Sequence, residues 1–209
     1  MDSFLPFFPL NLVVYPQENL NLHIFEPRYQ QLITECMETD QPFGIPTFLN
    51  SKLPGYGTEV TVTTLHKRYD DGQMDISTQG QRVFRIETFE NPVAGKLYAG
   101  GEVTYFDGEA DLQKPLPELL ELLATFYDLL TTPVEYNPEV PLFSFQIAHK
   151  VGLPLDEEYH LLTIALESER QLLLIQHLRK IIPVVKEIAR TKDRIRMNGH
   201  FKNLDPLTF

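Results

Sequence analysis

The sequence predicts an α+β fold, with a β-rich front half built as a small barrel or curled sheet holding one inserted helix, and a helical back half. Three observations carry this. Pro6, Pro9 and Pro16 break the opening into extended pieces. Short Val-, Thr- and aromatic-rich runs then recur as far as Phe106, separated by Gly and Asp-Gly turns. After Asp107 the composition changes to leucine-dense stretches at helical spacing. The change places a β subdomain over residues 1–107 and a helical subdomain over 115–209, joined by a linker from Gly108 to Lys114.

In the front half, Leu20, Leu22 and Ile24 alternate with polar residues and predict a strand over Asn19–Phe25. Pro27 suits the first turn of a helix, and Tyr29, Leu32, Ile33 and Met37 follow at helical spacing, so a helix is expected over Pro27–Thr39. A short strand is expected over Phe43–Leu49, then a Gly/Pro loop over Lys52–Gly57 and a strand over Thr58–Tyr69. Asp70-Asp71-Gly72 is a hairpin turn signal, because Asp-Gly supplies the positive-φ positions of tight turns. Its return strand is Gln73–Gln79. Beyond Gly80 come two further strands, Arg82–Phe89 and Leu97–Phe106.

In the back half, Leu119, Leu120, Leu123, Phe126, Tyr127 and Leu130 form one wide apolar face of a helix over Pro117–Leu130. Three prolines make Thr131–Pro141 a loop. A short helix over Phe143–Val151 is closed by Gly152 and Pro154, and Asp156 is placed to cap another that runs to about Leu166. Ser168-Glu169-Arg170-Gln171 fits a capping box that opens a long helix to about Arg196. Its expected buried stripe is Leu174, Leu178, Ile181, Ile182, Val185, Ile188 and Ala189. Pro183 removes a backbone donor inside it, so a kink that frees the Arg179 carbonyl is expected.

Composition narrows the function. The 209 residues are 43% hydrophobic and 22% charged, enough for a packed core. A net charge of -11 opposes generic binding to nucleic acids or anionic membranes, which depends on Lys and Arg. The apolar start, Met1 to Leu10, lacks a cationic lead and is broken by prolines, unlike a secretory signal. No run approaches a membrane span. A single cysteine, Cys36, forms no internal disulfide and no multi-cysteine zinc site. These features point to the cytoplasm, with no membrane partner and no nucleic acid.

Catalytic signatures are absent. Gly95-Lys96 is followed by Leu97, with Glu90 where the first P-loop glycine belongs. Gly55 and Gly57 lack the third glycine of a dinucleotide fingerprint. The six histidines form no His-Glu-x-x-His pair, so no metal ligand and no cofactor is assigned. Cys36, among apolar neighbours, reads as a buried inert thiol. No catalytic residue is assigned, and the chain is read as a binding protein rather than an enzyme.

Two places invite a binding role. Phe25, Glu26, Arg28 and Tyr29 gather charges and aromatics at a strand-to-helix junction. Glu26 and Arg28 could hold a peptide backbone; the reading preferred is structural, with Glu26 capping the helix or pairing with an arginine while Phe25 and Tyr29 fill the core. From Arg179 to Lys202 an excess of +6 leaves -17 on the remainder. Arg190, Lys192, Arg194 and Arg196 in that segment form either a docking site or a solvated helix end whose cations complement the helix dipole.

Leu5-Pro6-Phe7-Phe8-Pro9-Leu10, Val13-Val14-Tyr15-Pro16 and His23-Ile24-Phe25-Glu26-Pro27-Arg28-Tyr29 closely resemble the opening of the amino-terminal substrate-binding domain of Lon proteases. Phe43-Gly44-Ile45, Gly57-Thr58-Glu59-Val60, Asp71-Gly72, Gly80-Gln81-Arg82-Val83-Phe84-Arg85-Ile86 and Leu166-Glu167-Ser168-Glu169-Arg170-Gln171-Leu172 follow in the family's order, over residues 4 to 190. Gln17 stands where the family usually has glycine. The resemblance implies a PUA-like β-barrel (a pseudo-barrel) followed by a helical bundle. It implies a non-catalytic module that binds unfolded or peptide-like protein substrates, as an adaptor in protein quality control beside a protease or chaperone. The 209 residues leave no room for Lon's ATPase and Ser-Lys protease domains, and one cysteine excludes the zinc domain of cereblon, another relative. Two alternatives stay open: an RNA-binding PUA-like protein using the basic C-terminal helix, and a cryptic peptidase-like enzyme.

Overall fold

The computed structural model describes residues 3–106, 111, 114–130 and 135–200, the side chains of 193 and 195–200 excepted. The front half contains strands β1 (Ser3–Phe7) and β2 (Asn19–Ile24), helix α1 (Pro27–Thr39), then β3 (Phe43–Pro46), β4 (Tyr56–Arg68), β5 (Met74–Ile86) and β6 (Ala99–Phe106). The six strands form one mixed sheet in the order β2-β5-β4-β3-β1-β6, and β5 also pairs with β6. The pairings therefore run in a ring through β5, β4, β3, β1 and β6, with β2 added outside β5. Among the described strand pairs β1 with β3 alone is parallel, and an isolated parallel bridge of Leu10 with Thr47 extends it. The linker expected over Gly108–Lys114 lies mostly outside the described residues.

β5 corrects the expectation of two strands divided at Gly80. It is one strand of 13 residues whose early part pairs with β2 (His23 with Asp75) and whose late part pairs with β6 (Val83 with Phe106). Gly80 is not a break but a landing place. A Cβ there would lie 2.2 Å from the Tyr15 carbonyl oxygen. The Gly80 N–H donates to Glu18 O and its carbonyl accepts from Gln17 N, both at 2.8 Å. Elsewhere, β3 stops at Pro46 rather than Leu49, and β4 begins at Tyr56, inside the expected loop.

The expected helix α1 is found with its boundaries. Pro27 opens it, and Asp40 closes it in the left-handed region (φ 53°) with its N–H on the Cys36 carbonyl. Its inner face of Tyr29, Leu32, Ile33 and Cys36 packs on Phe43, Ile45, Val60, Met74 and Ile76. A second, smaller cluster of Leu5, Phe7, Phe84, Ala99 and Val103 lies among β1, β5 and β6.

The back half holds α2 (Pro117–Leu130), α3 (Phe143–Ile147) with a 3-10 turn over Ala148–Lys150, α4 (Leu155–Thr163) and α5 (Glu167–His200). Two expected caps are not formed. The residue before α4 is Pro154, which offers no side-chain cap, and Asp156 sits in the first turn. Ser168 lies inside α5, its N–H on the Asp111 carboxylate at 2.9 Å. Gln171 reaches not the cap but Leu116 N and Glu167, each at 2.8 Å. Tertiary partners thus displaced the local box. α5 continues through Pro183 as one helix.

At this helix start, Arg170 and Glu167 are fully buried and paired at 3.0 Å. Arg170 also donates to the carbonyls of Ile164 (2.6 Å) and Ala165 (2.9 Å) and to the Ser144 hydroxyl (3.0 Å). Glu167 accepts from the N–H and hydroxyl of Ser144. Every strong polar group here has a partner, as burial of an ion pair requires.

The two halves share a core. Val13, Tyr15 and Val83 belong to the cluster built by Leu119, Leu123, Phe145, Leu161, Leu174 and Leu178. The Tyr15 ring stacks on Phe145 (5.1 Å) and lies 4.7 Å from the His149 ring, while its hydroxyl donates to Glu158 O at 3.0 Å. His149 in turn bridges Glu158 (2.7 Å) and Glu18 (3.2 Å), one carboxylate from each half. Burial opposes the charged imidazolium, but the hydrogen bonds and charges of Glu18 and Glu158 outweigh it and raise the pKa to about 9.

Two outcomes are expected. Gly80→Ala should lower unfolding stability by about 1–3 kcal/mol, read by urea denaturation, since the added methyl meets backbone rather than a movable side chain. His149 is more basic folded than unfolded, so its contribution is complete below about pH 6.5 and disappears as pH rises through about 9. His149→Gln should therefore lower Tm at pH 6 while leaving it nearly unchanged at pH 10. An equal loss at both values would refute a charge-based role. His23, paired with Asp75, shifts in the same direction, so the wild-type-minus-variant difference is the diagnostic quantity.

Candidate functional site

The four residues singled out at the strand-to-helix junction take different environments. Tyr29 is buried and stacked on Phe8 at 3.8 Å, with burial raising its pKa. Glu26 provides no helix cap; it pairs with Arg28 at 2.7 Å on the surface, and the Arg28 guanidinium lies over the Tyr29 ring at 4.5 Å. Phe25, expected to fill the core, is instead 60% exposed. Strand parity explains this: Ile24 points inward, so the next residue takes the opposite side. Phe25 rests against His23, which is hydrogen-bonded to Asp75 and Gln73. Of the basic residues, Arg190, Lys192 and Arg194 are exposed along α5, and the Arg196 side chain lies outside the described residues.

A wide, open concavity lies elsewhere on the surface, and residue patterns did not reveal it. The loop from Thr47 to Gly55 turns sharply, with Asn50 (φ 51°), Ser51 (φ 62°) and Gly55 (φ 112°) in the left-handed region. Leu49 and Lys52 exchange both backbone hydrogen bonds at 2.9 Å, and Phe48 N is held by Leu10 O at 2.7 Å. This anchors the backbone of Phe48 and leaves its ring 40% exposed. On one side, a cavity of about 550 Å³ is bounded by Phe48, Leu53, Ile86 and Phe89. On the other, one of about 750 Å³ is bounded by Asn11, Phe48, Asn50, Leu155 and Asp156. They meet at Phe48 and Ser51. The groove runs from the end of the strands to the start of α4.

Its lining includes two exposed aromatic rings. Phe89, 45% exposed, stacks on buried Phe7 at 6.2 Å, so both exposed aromatics stand on ordered supports. The lining on the Phe89 side is mostly apolar, and that on the Asp156 side is mixed. The signal available in the sequence was an aromatic-leucine pair at the edge of a Gly/Pro loop, which had read as the end of a strand. A third cavity, of about 290 Å³, lies where the halves meet and includes Gln17 and Leu142, both in the left-handed region, with Phe145 and His149.

Reactive groups are otherwise muted. Burial, aided by Glu35, pushes the Cys36 thiol up to about 12, where it is not a nucleophile at neutral pH. Among the described residues no group of three or more His, Cys, Asp or Glu is arranged to hold a metal ion. No described helix is long and apolar enough to cross a membrane.

Comparison with known proteins agrees with this architecture. The chain superimposes on the Lon N-terminal domain protein from Xanthomonas campestris with a TM-score of 0.67 and 25% identity, covering 83% of this chain and 98% of that one. It superimposes on the N-terminal domain of Mycobacterium avium complex Lon protease with a TM-score of 0.59 and 14% identity, covering 85% and 98%. The latter likeness is one of fold. No curated protein matches the sequence. The model of the ATP-dependent protease La (LON) substrate-binding domain matches residues 4–182, most of the chain, and with the mixed six-stranded sheet and five described helices it shows that this chain belongs to the LON substrate-binding domain family.

Proposed function

We propose that this chain recognises protein substrates without acting on them, holding apolar side chains of unfolded segments in the groove centred on Phe48. In this reading the ring of strand pairings is a PUA-like barrel and the back half a helical bundle that walls the groove at Leu155. The observation that carries the proposal is the pair of exposed aromatics, Phe48 and Phe89, lining two adjoining cavities that share Phe48 and Ser51 and reach Leu155, in a family of substrate-binding domains. Loop-borne aromatics on a rigid frame are the usual form of a recognition surface. The buried, raised Cys36 thiol agrees with a non-catalytic role. An adaptor that passes clients to a protease or chaperone in the cytoplasm is the setting proposed.

A permanently unfolded, carboxymethylated protein carrying a fluorophore should bind the purified chain saturably. Phe48→Ser combined with Phe89→Ser should weaken that binding at least tenfold, because centrally placed aromatics commonly contribute about 2 kcal/mol or more. Binding that is absent, or unchanged in the double variant, would reject the groove. The same preparation should turn over neither ATP nor casein; sustained hydrolysis of either would count against a binding module.

A further inference from the structure

We infer that the second half of α5 is a docking ridge for an acidic amphipathic helix of a partner protein. This goes beyond the groove and does not depend on it.

α5 has 34 residues and is therefore about 51 Å long, more than the breadth of a small domain. Its first half packs inward through Leu174 and Leu178, both 0% exposed in the helical core, although Leu172 is 50% exposed. Ile181, Ile182 and Val185 pack only partly against that core. Val184 and Ile188 do not pack there, at 56% and 52% exposure. Ile188, expected in the buried stripe, is thus a surface residue. The core ends before the apolar pattern does.

The row Lys180, Val184, Ile188 and Lys192 runs at four-residue spacing, one ridge of an α-helix. Its middle is apolar and each end carries a cation. Lys180 and Lys192 pair with no carboxylate among the described residues, whereas Arg179 is engaged by Glu118 at 2.5 Å and Arg190 by Glu187 at 3.7 Å. From Arg179 to Arg194 the chain carries six Lys/Arg against Glu187 and Asp193, on a protein whose net charge is -11.

These features choose among occupants. A nucleic acid would use the cations but leave Val184 and Ile188 exposed. A second copy laid antiparallel would set Lys180 against Lys192 at both ends of the contact. A partner helix with an apolar stripe and glutamates at its flanks satisfies both parts of the ridge, and interleaving of four-residue ridges is the commonest helix packing.

The test uses the full chain and two designed 21-residue helical peptides that share a leucine stripe, one flanked by glutamates and the other by lysines. In fluorescence anisotropy the glutamate peptide should bind at least tenfold more tightly. Lys180→Glu with Lys192→Glu should reverse the preference. Val184→Ser with Ile188→Ser should abolish binding of both peptides while leaving unfolded-protein binding at the Phe48 groove intact, with circular dichroism reporting an unchanged fold. Equal or absent binding of the two peptides, or a preference untouched by the charge reversal, overturns the inference. A dimer in light scattering that Val184→Ser with Ile188→Ser dissolves would assign the ridge to a second copy and overturn it as well.

Discussion

The structure depends on Tyr15 being held from both sides. Its backbone lies on the only residue that admits it, Gly80, while its ring enters the helical core. There it forms one layer of a column: the Arg170 guanidinium over Phe145 at 4.4 Å, Phe145 on Tyr15 at 5.1 Å, and His149 beside Tyr15 at 4.7 Å. Arg170 is fixed by Glu167, Ser144 and two carbonyls. Breaking one member of such a buried pair leaves an uncompensated charge, a loss of about 3–5 kcal/mol in comparable cases. The column therefore links the α5 start to the strands.

The proposed function depends on that link. The groove is bounded by Phe48 and Phe89 on the β side and by Leu155 on the helical side. Only a fixed relation between the halves keeps those surfaces aligned. A pre-formed groove spares the ordering cost that a flexible one would incur on binding. The junction is also the place where protonation matters: His149 joins Glu18 of one half to Glu158 of the other, so its charge acts on the seam rather than on a single helix.

Where sequence reading succeeded, the deciding interactions were local. Pro27 and the spacing of Tyr29, Leu32 and Ile33 placed α1 correctly, because each acts within a turn or two. Asp71-Gly72 marked the hairpin, with Gly72 at φ 86°. Where it failed, a distant residue intervened. Gly80 looked like a strand break until Tyr15 was seen against it. Ser168 looked like a cap until Asp111 took its N–H and Gln171 turned to Leu116. Phe25 looked like core, although its parity with Ile24 already placed it outside.

By itself, the sequence determined the α+β division, α1 and the family through its ordered motifs. These rest on periodicity, turn chemistry and residue inventory, which neighbours in the chain suffice to set. Tertiary structure alone decided the ring of strand pairings, the shared core at Tyr15, the groove at Phe48 and the exposed ridge of α5. Each of these is a question of which surfaces are left uncovered once remote segments pack. Burial is a property of the whole fold, and no local pattern encodes where it ends.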